Sequence, residues 1–561
     1  MKSSEYSFRE SNRDATEFGV LSQISVSCFD NPKLEGTEME TPLTPLEFAR
    51  RARKLYPDRE AVVDGDRRFT YREFLERCER WSSALRNLGV RHGDRVATIA
   101  PNTHAQLEAF YAVPRLGAVL VPINFRLAAE DFEYMLNHSG ARVVCVHSDY
   151  LAMVDGIRSR LPLVEHFVAF EGSGSGWIDY ESTLAASEPR LEPVLPDESD
   201  LLTINYTSGT TSRPKGVMIT HRNAAMNSIG MLIHHPMTPG DRYLWTLPMF
   251  HANGWTYVWT VTAAGGTHVC LRQVTPATIF ERIRAESITM FCAAPTILIA
   301  IANAPLPLRE GAPRGVRIVT AGAPPATATI ERVEGELGWV ITQIYGLTET
   351  SPCITISEPR PEHATWSLEE RAVIKSRQGV ELITSGETRV VDEEGKEVPS
   401  DGKTLGEIVA RGNVIMKGYY RDDEATERAM RGGWFHSGDA AVVHPDGRIE
   451  IRDRLKDVII SGGENISSVE VEGVLLRHPA VQEVAVVGMP HEKWGESPHA
   501  FVVLKAGGGA TDAEIRGFAR AHLAHFKVPH AVTFVLELPK TATGKVQKYV
   551  LRGGKPAIAR Q

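Results

Sequence analysis

The chain has 561 residues, which at roughly 100 to 200 residues per domain implies two or more domains around a sizeable core. Its 62 Lys and Arg against 70 Asp and Glu give a net charge of −8, which offers no support for non-specific nucleic-acid binding and leaves only local basic patches for nucleotides. Six scattered cysteines without a Cys-x-x-Cys pair exclude a disulfide framework or zinc site and fit a reducing cytoplasm, and no apolar run reaches the length of a transmembrane segment.

Residues 1–41 are polar, show no sustained period and read as an N-terminal arm without assigned chemistry. From Leu46 the pattern alternates: a helix over 46–55, a strand near 61–63, and a helix over 71–88. The last of these puts Phe74, Leu75, Cys78, Trp81 and Leu85 on one face and stops at Gly89. Strand-like 96–100, helical 105–111, strand-like 118–123, helical 130–136 and strand-like 142–147 follow, a βα rhythm that predicts a layered α/β domain with substantial parallel sheet.

Residues 201–206 are apolar enough for a buried strand, and the run Thr207-Ser208-Gly209-Thr210-Thr211 then offers backbone N–H and hydroxyl donors in quick succession. Lys215 adds a charge, and Pro214 stiffens its approach. This is the chemistry of a phosphate clamp, but the spacing is not the Gly-x-x-x-x-Gly-Lys-Ser/Thr of a Walker A loop, so a P-loop kinase or GTPase is disfavoured. Taken alone, a solvated Ser/Thr/Gly turn between two strands explains the segment equally well.

The α/β rhythm resumes at 279–286, 290–293, 316–320 and 341–344. Between Val380 and Tyr420 it gives way to shorter strands with Gly and charged turns, as in a small β-rich subdomain. The run Arg452-Asp-Arg-Leu-Lys-Asp457 precedes a further α/β segment of about a hundred residues, large enough for a lid domain. The expected domains are thus an arm at 1–41, a large domain at 42–452 and a lid at 453–561.

Four further segments bear on the clamp. In Gln343-Ile-Tyr-Gly-Leu-Thr-Glu-Thr350, Tyr345 can stack on a base, Thr348 can meet a phosphate and Glu349 can hold a hard cation. In Gly433-Trp-Phe-His-Ser-Gly-Asp439 the terminal aspartate suits two ribose hydroxyls. The charge run at 452–457 leads into Ser461-Gly-Gly-Glu-Asn465, and Pro539-Lys-Thr-Ala-Thr-Gly-Lys545 presents a lysine on a Gly-supported turn. Each has an ordinary alternative as a solvated turn or charged face. Together, in this order, they point to one nucleotide site.

From about Leu46 to Leu551 the sequence resembles the adenylate-forming superfamily of acyl-CoA synthetases, peptide-synthetase adenylation domains and firefly luciferase. The resemblance implies an α/β fold in which a large multi-layer N-terminal domain with mostly parallel sheets and a small β-rich subdomain carries a smaller, mobile α+β C-terminal lid. It implies ATP, Mg²⁺ and CoA as ligands: a carboxylate attacks the α-phosphate, pyrophosphate leaves, the lid rotates, and a thiol displaces AMP. Carried over by position, Thr207 to Thr211 and Lys215 resemble the phosphate loop, and Gly322, Ala323, Pro324, Tyr345 and Gly346 the adenine surface. Thr348 resembles a phosphate contact, Glu349 the Mg²⁺ ligand, Asp439 and Arg454 the ribose contacts, Lys456 the hinge and Lys545 the adenylation lysine. Ser461, Gly462 and Gly463 resemble the CoA channel.

The segment Leu247-Pro-Met-Phe-His-Ala-Asn-Gly-Trp255 resembles the acyl-site motif of bacterial fatty-acyl-CoA ligases, with His251 beside the carboxylate, Asn253 and Gly254 among the acyl-binding residues, and Trp255 where one long-chain branch has a tunnel gate. A medium- or long-chain fatty acid is therefore the first expectation. Related ligases with this motif act on short, branched, sulfur-containing or aromatic acids, which are the alternative, as is delivery of the acyl group to a carrier protein. A silent acyl-binding protein or a luciferase-like oxygenase are remoter readings. Ile460 and Asn465 depart from the long-chain pattern. A cytoplasmic enzyme of fatty-acid metabolism, with a homodimer compatible, completes the expectation.

Overall fold

The computed structural model describes residues 40–172, 174–189, 195–207, 213–462, 464–541 and 546–553. The expected arm lies almost wholly outside them. The described residues from Pro42 onward belong to one compact unit.

The helix Tyr71–Asn87 shows how local sequence meets packing. Thr70 and Glu73 form a reciprocal capping box at its start, satisfying two N–H groups that the first turn leaves open. Phe74, Leu75, Cys78, Trp81 and Leu85 are buried, as their 3.6-residue spacing requires. The strands beneath read differently. Val119–Ile123 is buried at every position, the continuous apolar pattern of a parallel strand covered on both faces.

Among the described residues the strands form four sheets. The parallel centre of a nine-stranded sheet contains Arg242–Leu244, Met290–Ala293, Arg317–Thr320 and Val340–Gly346 as successive neighbours. An eight-stranded sheet is built around Leu201–Thr207, Val119–Ile123, Arg95–Ile99 and Ala141–Val146. A four-stranded antiparallel sheet joins Glu387–Val391, Gly406–Arg411, Phe435–Val443 and Ile449–Arg454. Residues beyond 458 supply the fourth sheet, a five-stranded one with its own apolar cluster around Ile459, Ile466, Val471, Leu475, Val486 and Val502. This is the α/β architecture expected from the sequence.

The β-rich subdomain extends past Tyr420, because Phe435–Val443 and Ile449–Arg454 complete its sheet. Conversely, Gly418–Tyr419 leaves it to pair with Lys215–Thr220 in the eight-stranded sheet. The sequence texture of short strands could not reveal which sheet each would join. Five cysteines, Cys78, Cys145, Cys270, Cys292 and Cys353, are buried free thiols, and no helix of the described residues is long and apolar enough to cross a membrane.

One buried ionic cluster is structural. Asp64, His104 and Glu171 lie close enough to share a cation, but Arg272 already reaches both carboxylates, at 2.6 Å from Glu171 and 3.3 Å from Asp64. Burial alone would lower the His104 pKa. Its hydrogen bonds to Asp64 and Glu181 and the charge of Glu108 outweigh that and raise it to about 9.

Candidate active site

Parallel strands bring loop residues together at their carboxyl ends, where α/β proteins hold ligands. Three of the sequence-predicted segments leave the nine-stranded sheet at that edge: Leu247 to Trp255 after Arg242–Leu244, Gly322-Ala323-Pro324 after Arg317–Thr320, and the Thr348–Thr350 turn after Val340–Gly346. The strand Leu201–Thr207 turns back as Lys215–Thr220, with Thr207 opposite Lys215. Ser208, Gly209, Thr210, Thr211, Gly463 and Lys545 lie outside the described residues.

Asp439 is the centre of the best-defined polar group. It is 4% exposed, its Oδ2 accepts from the Tyr345 hydroxyl at 2.7 Å, and its Oδ1 meets Arg454 Nε at 2.8 Å. Antiparallel register places Asp439 directly across from Arg454, and the backbone N–H of Asp439 donates to Ser437 Oγ at 3.0 Å. Burial, reinforced by the Asp439 charge, pushes the Tyr345 hydroxyl far above its ordinary pKa, so it donates rather than ionises. Burial opposes the Arg454 charge, yet Asp439, together with Tyr345, Glu349 and Asp457, outweighs it and strengthens its hold on the proton. A carboxylate offers about four lone-pair sites. One on each oxygen is used here, by the Tyr345 hydroxyl and by Arg454 Nε.

Gly346 is required by space. A Cβ there would sit 1.7 Å from the Pro352 carbonyl oxygen, so any side chain would push Tyr345 and Glu349 out of register. Glu349 is half-buried and accepts a 2.9 Å hydrogen bond from the Tyr419 hydroxyl at Oε1. The other face of the same story is Lys215, whose Nζ lies 4.8 Å over the Tyr419 ring and 4.0 Å from Asp422. Tyr419 thus bridges the base of the phosphate loop and the carboxylate expected to hold Mg²⁺. The chemistry of the donor set fits, since a carboxylate oxygen suits a hard cation that takes its remaining ligands from phosphates and water.

Tyr419 and Asp422 were not singled out by sequence reasoning. Their signal was the Gly-Tyr-Tyr at 418–420 beside a charged turn. Their place depends on backbone pairing: Met416 N–H donates to Glu349 O, Lys417 N–H to Met218 O and Tyr420 N–H to Gly216 O.

The acyl-site segment has an unusual backbone. Ala252, Asn253, Gly254, Trp255 and Thr256 all have positive φ, between 45° and 65°. A left-handed turn costs roughly 1–2 kcal/mol per L-residue, and such strain persists only where surroundings over-determine it. Gly254 faces Trp245 so closely that a Cβ would lie 2.5 Å from that ring. Asn102, also missed in the sequence, steadies the approach: its amide donates to Trp245 O and Leu247 O and accepts from Met249 N–H. His251 precedes the turn, and its carbonyl accepts from Gly254 N–H at 3.0 Å.

The hinge side is equally specific. The strand Ile449–Arg454 runs into a turn, Leu455–Asp457, which carries Lys456 on an exposed position. Ile460 and Asn465, the two departures from the long-chain pattern, sit opposite each other across a short hairpin. They are therefore one change in cross-strand pairing rather than two. Ser461 and Gly462 follow at its tip, and Gly462 N–H donates to Trp494 O at 2.8 Å.

A buried carboxylate held by a tyrosine and an arginine, a half-buried glutamate, a lysine over an aromatic ring and a left-handed acyl-site turn are thus contributed by three different sheets. The chain belongs to the AMP-binding enzyme family: the family model matches residues 48–420 and that of the AMP-binding enzyme C-terminal domain residues 470–545. It is similar to the peroxisomal acetate/butyrate–CoA ligase of Arabidopsis thaliana, 43% identical over 93% of this chain and 96% of that one. It is also similar to 4-hydroxybutyrate–CoA ligase 2 of Metallosphaera sedula, 42% identical over 95% and 98%. Among solved structures, the anthranilate CoA ligase in complex with anthranoyl-AMP superimposes with a TM-score of 0.83 at 27% identity, over 91% of this chain and 97% of that one. The chain is thus an adenylate-forming acid–CoA ligase, whose ligands are ATP, Mg²⁺ and CoA.

Proposed function

We propose that this enzyme activates a short, branched or aromatic carboxylic acid, not the medium- or long-chain fatty acid of the first sequence expectation. The observation that carries this reading is the packing of the acyl-site turn. Trp255 is 4% exposed and belongs to the same buried core cluster as Tyr243, which stacks on Tyr257 at 4.9 Å and meets Trp245 at 4.8 Å. Phe110 closes on Trp259 from behind. A long acyl chain needs an open path past Trp255, whereas a compact acid needs only a pocket in front of it. The relatives named for acetate, butyrate, 4-hydroxybutyrate and anthranilate favour the same reading.

In the first half-reaction a carboxylate oxygen attacks the α-phosphorus of ATP, the bond to the β-phosphate breaks, and pyrophosphate leaves. In the second, the CoA thiol attacks the acyl carbon, its proton passes to solvent, and AMP departs. We assign Thr207 to Thr211, Thr348 and Lys215 to the phosphates, Gly322, Ala323, Pro324, Tyr345 and Gly346 to the adenine, and Asp439 and Arg454 to the ribose. Glu349 would hold Mg²⁺, which neutralises phosphate charge when bound. His251 faces the carboxylate in this reading, Lys545 stabilises the charge that develops at the α-phosphate, and Asn253, Gly254 and Trp255 line the acid. Residues 453–561 act as the lid, hinged at Lys456, and Ser461, Gly462 and Gly463 flank the path of the thiol. A cytoplasmic location stays part of the proposal, beside a relative whose name places it in peroxisomes.

Purified protein with ATP, Mg²⁺ and CoA should be offered acetate, butyrate, 2-methylpropanoate, cinnamate, octanoate and palmitate. The expected result is kcat/KM for the best short, branched or aromatic acid at least about tenfold above that for palmitate. Octanoate or palmitate as the best substrate would return the assignment to fatty acids.

A further inference from the structure

The strained acyl-site turn is tied to the strand of the phosphate loop by a closed set of hydrogen bonds. Asn253 Nδ2 donates to Thr203 Oγ1 at 3.0 Å, Thr203 Oγ1 donates to Asn205 Oδ1 at 2.7 Å, and Asn205 Nδ2 donates to Asn253 Oδ1 at 3.0 Å. Within the ring each side chain gives one bond and takes one, and Asn205 Nδ2 also donates to Phe250 O at 3.4 Å. Thr203, Asn205 and Asn253 are 0%, 2% and 3% exposed. In such a place an unmade bond costs more than a made one contributes.

Two geometric facts give the ring its meaning. Side chains alternate along a strand, so Thr203 and Asn205 share a face of Leu201–Thr207 with Thr207, where the phosphate loop begins. At the other end, Asn253 is the second of five consecutive residues with positive φ, a conformation that the local chain does not favour by itself. We infer that Thr203, Asn205 and Asn253 form a positioning ring that holds the acyl-site turn in its left-handed form and registers it on the strand delivering the phosphate loop. The acid and the α-phosphate come from loops about fifty residues apart in sequence, and carboxylate attack demands that they meet within about 3–3.5 Å. A rigid brace between the two loops meets that demand before either substrate binds. The inference rests on the acyl-site role proposed above for His251 to Trp255.

Thr203→Val keeps the shape and removes the hydroxyl, opening the ring at two bonds. Thr203→Ser keeps the hydroxyl and removes a methyl. Amide hydrogen exchange over residues 249–258 should accelerate about tenfold or more in Thr203→Val and return toward wild type in Thr203→Ser. With the best acid from the panel, Thr203→Val should raise the KM for acid about tenfold while the KM for ATP moves less than about twofold, because the strand pairing of the phosphate-loop hairpin is untouched. Unchanged exchange in Thr203→Val would overturn the ring as a brace. Faster exchange with an unchanged KM for acid would overturn its positioning role, and equal behaviour of the two variants would assign the effect to methyl packing. If the wild type activates no acid, the proposed function falls by itself, while the exchange rates still decide whether the ring holds the turn.

Discussion

Lys545→Ala is expected to slow acyl-adenylate formation by about 10²–10³-fold while thioester formation from supplied acyl-adenylate and CoA changes less than about twofold. The proposed role is electrostatic: an ammonium placed where charge builds on the α-phosphate as pyrophosphate departs. That charge exists only in the first half-reaction, so the loss should be confined to it. The lysines on either side have other occupations. Lys540 Nζ is 2.6 Å from Glu483 and Lys548 Nζ is 2.9 Å from Glu472, while Lys540 also bridges to Val546 and Gln547 N–H donates to Pro539 O. Burial opposes the Lys548 charge, but Glu472 and Asp453 outweigh it, which marks Lys548 as a structural cation. Pyrophosphate exchange measures the first half-reaction, and thioester yield from synthetic acyl-adenylate the second. Equal loss in both would contradict a lysine that serves one step.

Asp439→Ala should raise the KM for ATP by about 10- to 100-fold and lower stability by about 3 kcal/mol. The stability loss follows from what is left behind: a buried Tyr345 hydroxyl without its acceptor and an Arg454 guanidinium without its counter-ion. The affinity loss follows from the ribose contact proposed for this carboxylate. Asp439→Asn separates the two effects. It preserves volume and one acceptor oxygen, but turns an NH₂ group toward a donor, so it should cost less stability and still weaken ATP binding. Urea denaturation and calorimetric titration with a non-hydrolysable ATP analogue read the two quantities apart. Unaltered nucleotide affinity in Asp439→Ala would leave the residue a purely structural anchor.

These residues differ in how far the sequence alone could place them. The βα rhythm, the end of the helix at Asn87 and the strand at Met290–Ala293 follow from apolar period and turn residues, which are local. Asp439, Tyr345 and Arg454 stand out as members of separate motifs, yet their meeting depends on antiparallel register and on a strand 94 residues away from the hydroxyl it receives. Tyr419 was invisible because its strand abandons the neighbouring subdomain for another sheet. The ring of Thr203, Asn205 and Asn253 left only a faint trace, two polar side chains at alternate positions of an otherwise apolar strand, with the third member in a distant turn. The acyl motif was legible as a motif, but the buried cluster that Trp255 shares with Tyr243, Trp245, Tyr257 and Trp259 was not. Those contacts are tertiary, and no spacing rule reports them.

The central claim is that a carboxylate oxygen attacks the α-phosphorus of ATP. The most direct test is to supply the best acid with ¹⁸O in both carboxylate oxygens, together with ATP, Mg²⁺ and CoA, and to analyse the products by mass spectrometry. One ¹⁸O should appear in AMP and none in pyrophosphate, because the oxygen that forms the acyl-phosphate bond leaves with AMP when the thiol attacks. Unlabelled AMP, or ADP with label in inorganic phosphate, would place the attack elsewhere and contradict the account.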